Sequence, residues 1–206
     1  MKKEIALVSI IALITLGAIA PAAAKALTGA TAPDFALTDT HGQSRSLSDY
    51  KGSYVILEWT NNLCPFVAKH YDSGNMQAIQ KECTDKGMVW LTIISSAPGK
   101  QGYLTADEAN ALDEAQGANA TAKLIDSDGV AGRLYGAKVT PHMFIINPDG
   151  ILIYQGAIDS ISTANSADIK KADNYILTTL KKDMAGLQLI KTNTKPYGCF
   201  IKYAKL

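Results

Sequence analysis

The rhythm of apolar and polar positions changes repeatedly along this chain, and each change marks an element. Residues 54–59, 88–95, 123–126, 143–146 and 152–155 are short apolar runs rich in β-branched and aromatic side chains, the pattern of buried strands. Between them lie helical stretches at 65–86, interrupted near Ser73-Gly74, at 106–115 and at 172–184, with a short turn at 130–135. Strands alternating with helices predict an α/β fold with a mainly parallel sheet covered on both faces. The last two strands differ, because Asn147-Pro148-Asp149-Gly150 is a turn signal between two apolar runs and predicts an antiparallel hairpin. Residues 32–52, with His41-Gly42 in the middle, read as a further hairpin and turn. The order is a βαβ half followed by a ββα half, so the expected sheet is central and mixed, flanked by helices and extended by the N-terminal hairpin, in one domain from about residue 27 to residue 206 with no repeat or low-complexity linker.

The first 24 residues stand apart. Lys2 and Lys3 precede an apolar run over 5–20, followed by Pro21 and the small residues Ala22, Ala23 and Ala24. This reads as a secretory signal peptide cleaved near Ala24 or Ala26, since the run falls short of the roughly 20 apolar residues of a spanning helix. The expected location is therefore exported, either periplasmic or secreted. The whole chain has 206 residues, 47% hydrophobic and 19% charged, enough for one sizeable core. Cleavage would remove two lysines and one acid, turning a formal charge of +1 into a neutral mature protein. That argues against nucleic acid or an anionic membrane as the main partner, because both are held by clustered positive charge. Lys170, Lys171, Lys181 and Lys182 read as the solvated face of the last helix. All three cysteines, Cys64, Cys83 and Cys199, survive cleavage into a compartment where thiols pair, and an odd count leaves at least one unpaired or bridging chains.

Cys64 has the most informative surroundings. The strand at 54–59 breaks into Thr60-Asn61-Asn62-Leu63, and a helix restarts at Cys64-Pro65. Pro65 suits the first helical position, where its missing N–H is not needed, so Cys64 falls at the cap. A cysteine there faces unpaired backbone donors and the positive end of the helix dipole, surroundings that favour the nucleophilic thiolate. The competing reading is a buried cysteine acting as a small hydrophobe. Asn61 and Asn62, loop formers beside it, are candidate binding residues.

Ala32-Pro33-Asp34-Phe35 with Leu47-Ser48-Asp49-Tyr50-Lys51-Gly52, Cys64 and Val139-Thr140-Pro141 together resemble the thioredoxin-like superfamily, and within it the redoxin (AhpC/TSA, peroxiredoxin-like) group, over about residues 31–185. Cys64-Pro65-Phe66-Val67, Lys69-His70-Tyr71 and Tyr197-Gly198-Cys199 are similar to an exported subgroup. The resemblance implies a thioredoxin-like fold and a thiol–disulfide oxidoreductase or thiol-dependent antioxidant, with Cys64 as nucleophile and Thr140-Pro141 as a cis-proline loop that docks substrate. It also places Glu58 where thioredoxins carry a buried, proton-relaying acid, and alternation along the strand turns Glu58 away from the face of Leu57 and Trp59. Three positions depart from the group. Val67 stands where thioredoxin has its second cysteine, Asn61 stands where peroxiredoxins have Thr or Ser, and Arg133 lies in a turn away from the expected peroxide-binding arginine.

With no second cysteine in the motif, the resolving thiol must come from elsewhere. Cys83 is 19 residues downstream on a largely helical path, nearly 30 Å at about 1.5 Å per residue, beyond disulfide reach unless Gly74 breaks the helix. Cys199, past the last helix, is the better candidate if the tail folds back over Cys64; the alternative is a surface strand whose cysteine pairs with nothing or with Cys83. His70 points away from the thiol on an ideal helix, and His41 lies in a solvated turn. His142 and Met143 follow the proline loop and suggest a second class of function, a copper-binding or metallochaperone module using Cys64, Cys199, Met143 and His142. A redox-inactive interaction module is a third. Asp126-Ser127-Asp128-Gly129 reads as a turn without the later ligands of a calcium loop. Asn119-Ala120-Thr121 is a glycosylation acceptor only in a source that glycosylates exported proteins. No glycine-rich phosphate loop follows any strand, so no organic cofactor is expected, and electrons would come from an external dithiol.

Overall fold

The computed structural model describes residues 25–205, so the signal segment expected over 1–24 lies outside the described residues. In chain order the elements are β1 (Ala36–Asp39), β2 (Ser44–Ser46), a 3₁₀ turn (Leu47–Tyr50), β3 (Val55–Trp59), α1 (Pro65–Asp72), α2 (Asn75–Thr84), β4 (Val89–Ile94), α3 (Ala106–Gln116), β5 (Ala122–Ile125), α4 (Val130–Tyr135), β6 (Val139–Thr140), β7 (His142–Ile146), β8 (Leu152–Gly156), a 3₁₀ stretch (Ser166–Lys171), α5 (Tyr175–Met184) and β9 (Cys199–Phe200). Seven strands form one sheet in the order β2-β1-β5-β4-β3-β7-β8, and β6 and β9 form a separate two-stranded pair.

β3 is central, and all five of its residues are buried. Strand alternation divides them: Val55, Leu57 and Trp59 enter one core with Phe35, Leu91, Tyr135 and Phe144, while Ile56 turns to the other, with Cys64, Val67, Trp90, Met143 and Ile176. Each large apolar side chain buried this way contributes about 1.5–3 kcal/mol, so the two cores pin the register of β3 firmly. Its parallel partner is β4, Leu57 opposite Leu91, and its antiparallel partner is β7, Leu57 opposite Phe144.

The five strands read from the sequence are present, and the hairpin across Asn147–Gly150 joins β7 to β8 antiparallel. The sheet is mixed, as expected: β3–β4 and β4–β5 run parallel, whereas β1–β2, β1–β5, β3–β7 and β7–β8 are antiparallel. The N-terminal hairpin supplies half of the antiparallel pairs, because β1 adds to the edge of β5. The last helix is corrected. It begins at Tyr175, where the Asn174 side chain accepts the Leu177 N–H and caps it. Lys170 and Lys171 therefore belong to the preceding 3₁₀ stretch, and only Lys181 and Lys182 lie on α5. The interruption near Ser73-Gly74 is real; Gly74 takes a left-handed conformation (φ +74°) that separates α1 from α2. Among the described residues no helix is long and apolar enough to cross a membrane.

Candidate thiol site

Cys64 caps α1 with an extended backbone (φ −89°, ψ 120°), and Pro65 occupies the first helical position. Asn61 prepares this cap. Its carbonyl accepts the Cys64 N–H at 3.0 Å, and its side-chain oxygen accepts the Leu63 N–H at 2.9 Å, closing the loop between β3 and α1. The Asn61 side chain lies against Gly102, where any Cβ would overlap it, and its amide nitrogen is buried without a partner. Asn62 is partly buried, with its side-chain oxygen also unpartnered. Val67, in the position of a second motif cysteine, is buried in the core at the first turn of α1.

The Cys64 side chain is fully covered, at 0% exposure. Its thiol donates to the Thr140 carbonyl at 3.1 Å, and the Cys199 N–H donates to its sulfur at 3.4 Å. The Thr140–Pro141 bond is cis, as expected. β6 pairs antiparallel with β9, setting Val139 opposite Phe200 and Thr140 opposite Cys199. Cys64 and Cys199, 135 residues apart in sequence, thus meet across one strand edge. Burial pushes the Cys199 thiol up to about 12, and its hydrogen bond to Cys64 adds to this. Cys83 is buried on α2 in the same apolar core, and desolvation pushes it too up to about 12. The three cysteines are present as thiols.

Glu58 is buried with three donors on its carboxylate: Trp90 Nε1 at 2.8 Å, Tyr71 Oη at 2.9 Å and Gln80 Nε2 at 3.2 Å. Desolvation raises its pKa, and these donors oppose the rise. Its hydrogen-bond partners lie on β4, α1 and α2, and neither cysteine is among them. His142, expected to approach the thiol, instead accepts the Lys138 N–H at 3.4 Å and stacks on Phe144, with ring centroids 4.5 Å apart. Burial pushes it down to about 3. Among the described residues no group of three or more His, Cys, Asp or Glu is placed to hold a metal ion. His41 is exposed. Asp126 closes the expected turn through its carbonyl, but its carboxylate is buried, accepting the Gly132 N–H at 2.8 Å and the Ala131 N–H at 3.1 Å at the start of α4. The Asn119 amide bonds the Gly117 carbonyl at 3.0 Å.

A cluster beside the thiol escaped the reading of the sequence. His70 is buried and faces a network of side chains rather than solvent. Lys69 Nζ lies 3.2 Å from Asp159 Oδ2 and 3.1 Å from the Ile161 carbonyl. Tyr197 donates its hydroxyl to Asp159 Oδ1 at 2.5 Å and lies 3.5 Å from His70 Nε2, while its ring packs edge-on against Phe66 at 5.8 Å. Burial pushes His70 down to about 4, against the pull of Asp159. At the far end of the tail the Tyr203 hydroxyl donates to the Ala137 carbonyl at 2.8 Å, and Arg133 reaches the Ala204 carbonyl at 2.6 Å. Arg133 therefore holds the tail rather than approaching Cys64. The signal for this cluster lay in the spacing: Phe66, Lys69 and His70 are three and four residues apart on one helix face.

No curated protein matches the chain. Among solved structures, a hypothetical protein from Sinorhizobium meliloti is similar, at 23% identity and a TM-score of 0.70, covering 88% of this chain and 97% of the other. An uncharacterized conserved protein from Geobacillus kaustophilus follows at 22% identity and 0.68, covering 87% and 94%. A protein from Chlorobium tepidum named as a candidate thiol:disulfide interchange protein DsbE is 25% identical with a TM-score of 0.51, covering 76% of this chain and 99% of that one. The model of the AhpC/TSA family matches residues 28–155, which span β1 to β8 and include Cys64 and the Thr140–Pro141 loop. With the mixed sheet, the cysteine at the α1 cap and the proline loop facing it, the chain belongs to the AhpC/TSA family of thioredoxin-like redoxins.

Proposed function

We propose that this protein is an exported thiol–disulfide oxidoreductase in which Cys64 is the nucleophile and Cys199 its resolving partner. One observation carries the reading: the Cys199 N–H lies 3.4 Å from the Cys64 sulfur, on a strand paired with the proline loop. The Cys64 thiolate attacks one sulfur of a substrate disulfide, forming a mixed disulfide and expelling the other sulfur as a thiolate. The Cys199 thiolate then attacks the Cys64 sulfur, closing a Cys64–Cys199 bond and releasing the substrate as a dithiol. An external dithiol reverses the oxidation. A peroxide would enter the same cycle by converting Cys64 to a sulfenic acid, which Cys199 condenses with, losing water. Thr140 and Pro141 dock the substrate backbone, Asn61 and Asn62 shape the loop under the thiol, and Glu58, buried with a raised pKa, is the candidate proton store. Cys83 takes no part.

The test is non-reducing peptide mass spectrometry after one equivalent of hydrogen peroxide or of a protein disulfide, paired with turnover of wild type and Cys64→Ser. The expected product is a Cys64–Cys199 peptide, with turnover lost in the variant. A Cys83–Cys199 peptide alone, three free thiols, or equal turnover by Cys64→Ser would overturn the assignment.

A further inference from the structure

The tail does more than bring Cys199 to Cys64. Residues 197–203 lie in a groove and touch it at successive positions, through contacts that the thiol chemistry does not need. The first is the Tyr197 position, closed by Phe66, Lys69, His70 and Asp159. The Lys69, His70 and Asp159 side chains are all but inaccessible, at 0%, 0% and 5% exposure. A buried ion pair is weak evidence for stability, since apolar residues of the same volume often serve the fold as well. This one presents a carboxylate oxygen to a phenol.

The second position is Gly198. Its φ is +137°, and a Cβ there would overlap the Thr140 carbonyl oxygen, so only glycine passes. The third is Cys199, registered opposite Thr140. Phe200, next along, is 71% exposed and goes unread. The fourth contact is Tyr203, whose ring fills a notch left by Gly129 and Gly132, where a Cβ on either would overlap it, with the Arg133 guanidinium 4.7 Å from the ring centre. The backbone between these anchors bonds as an added strand: Ile201 N–H to the Lys138 carbonyl at 3.0 Å, and Ala97 N–H to the Lys202 carbonyl at 2.9 Å. Strand addition with pockets for selected side chains is how peptides are recognised on sheet edges.

We infer that this groove is a peptide-binding site specific for an extended Tyr-Gly-Cys segment, and that the tail is its resident, displaceable occupant. The inference takes the Val139–Thr140 edge as the docking edge proposed above, but peptide binding itself needs no redox step. Because the tail is tethered, its effective concentration at the groove is on the order of millimolar, and an external peptide of ordinary affinity is shut out while it is docked. The same docking leaves Cys64 inaccessible. A partner segment therefore enters only when the tail leaves, and the segment that fits carries glycine immediately before its cysteine.

Gly198→Ala tests this, because the added Cβ overlaps the Thr140 carbonyl and drives the tail off the edge. Two readouts are taken on reduced, folded protein in a Cys83→Ser background. The first is the rate of Cys64 alkylation by iodoacetamide. The second is fluorescence anisotropy of a labelled peptide of residues 195–204 with serine in place of Cys199, alongside versions with alanine for its glycine or phenylalanine for its Tyr197. The expected result is alkylation faster by about tenfold or more in Gly198→Ala, and peptide binding by that variant but not by the Cys83→Ser parent. The alanine peptide should not bind, and loss of the hydroxyl should weaken binding roughly tenfold to a hundredfold. Tyr197→Phe in the full chain, which keeps the ring, should raise alkylation in the same direction. Unchanged alkylation in both variants, or equal binding of the glycine and alanine peptides, overturns the inference. Neither readout needs turnover, so failure of the disulfide assignment leaves this result distinct.

Discussion

Asp159→Asn should be among the most destabilising single changes near the site. Lys69 Nζ has two protein acceptors, Asp159 Oδ2 at 3.2 Å and the Ile161 carbonyl at 3.1 Å, and the side chain has no exposure to water. Asparagine keeps the volume but removes the charge and can turn an N–H₂ toward the ammonium. Leaving one partner of a buried pair costs about 3–5 kcal/mol. The Ile161 carbonyl survives and holds the expected loss to the lower part of that range, while weakening of the Tyr197 bond adds to it. The control is Asp85→Asn, which breaks the Lys81–Asp85 pair with side chains 62% and 60% exposed and should cost less than about 1 kcal/mol. Urea unfolding at pH 7 reads both, as a shift in midpoint at constant slope. Adding Lys69→Met to Asp159→Asn should recover most of the loss, because it removes the orphaned charge. If Asp159→Asn matches Asp85→Asn, or if the double variant is no more stable than Asp159→Asn alone, the reasoning from burial is wrong.

Two further substitutions probe buried titrating groups of opposite sign. His142 is pushed from its ordinary 6.5 down to about 3 by burial, so it stays neutral in the fold while the unfolded chain takes up a proton. Stability is then full above pH 6.5 and falls as pH drops toward 3, by roughly 2 kcal/mol at pH 5. His142→Asn should roughly halve the histidine-linked fall in urea midpoint between pH 7.5 and 5, because His70, pushed down to about 4, contributes a similar share at pH 5; parallel profiles for the two proteins would contradict it. Glu58 is the reverse case, a carboxyl raised by burial, whose charge costs stability above its unfolded value. The stability difference between Glu58→Gln and wild type should therefore move in the variant's favour as pH rises from 4.5 to 8, and a difference that stays constant with pH would refute this. The same variant should slow thiol exchange near neutral pH if the acid relays protons, and an unchanged rate profile would leave Glu58 a structural group.

What the sequence made legible follows from range. β3 and β7 announce themselves because each is a run of five residues buried on both faces. Cys64 could be placed at a helix start because Pro65 acts on its immediate neighbour. β6 and β9 are two residues each, too short for any periodicity, and they exist only because the tail returns to the loop. Asp159 was unreadable for a related reason: a buried acid is recognised by its partner, and Lys69 stands 90 residues away. Lys69 and His70 look in the sequence like the polar side of a helix, and only the arrival of Tyr197 from position 197 turns that side into an interior. The antiparallel docking of β1 on β5 was not legible, because hydrophobic alternation specifies which residues face a core but not which strand lies beside another or in which direction.

The replacement of a second helix cysteine by Val67 has a consequence beyond the loss of a thiol. Where both sulfurs sit one turn apart on a single helix, a disulfide between them ties together parts that were already rigid. Here the second sulfur arrives on a tail held by a two-residue strand pairing, two tyrosine anchors, the backbone bonds of Ile201 and Lys202, and Arg133 on the Ala204 carbonyl. A Cys64–Cys199 bond would therefore fasten the tail over the groove, and reduction would return it to an equilibrium between docked and free. Under the proposed pairing, the redox state of Cys64 and the occupancy of the Val139–Thr140 edge become one variable: the oxidised protein is closed to peptides, and only the reduced protein can admit them. Oxidised Gly198→Ala should then lose its binding of the residue 195–204 peptide and recover it on addition of dithiothreitol, whereas binding that persists after oxidation would separate the two.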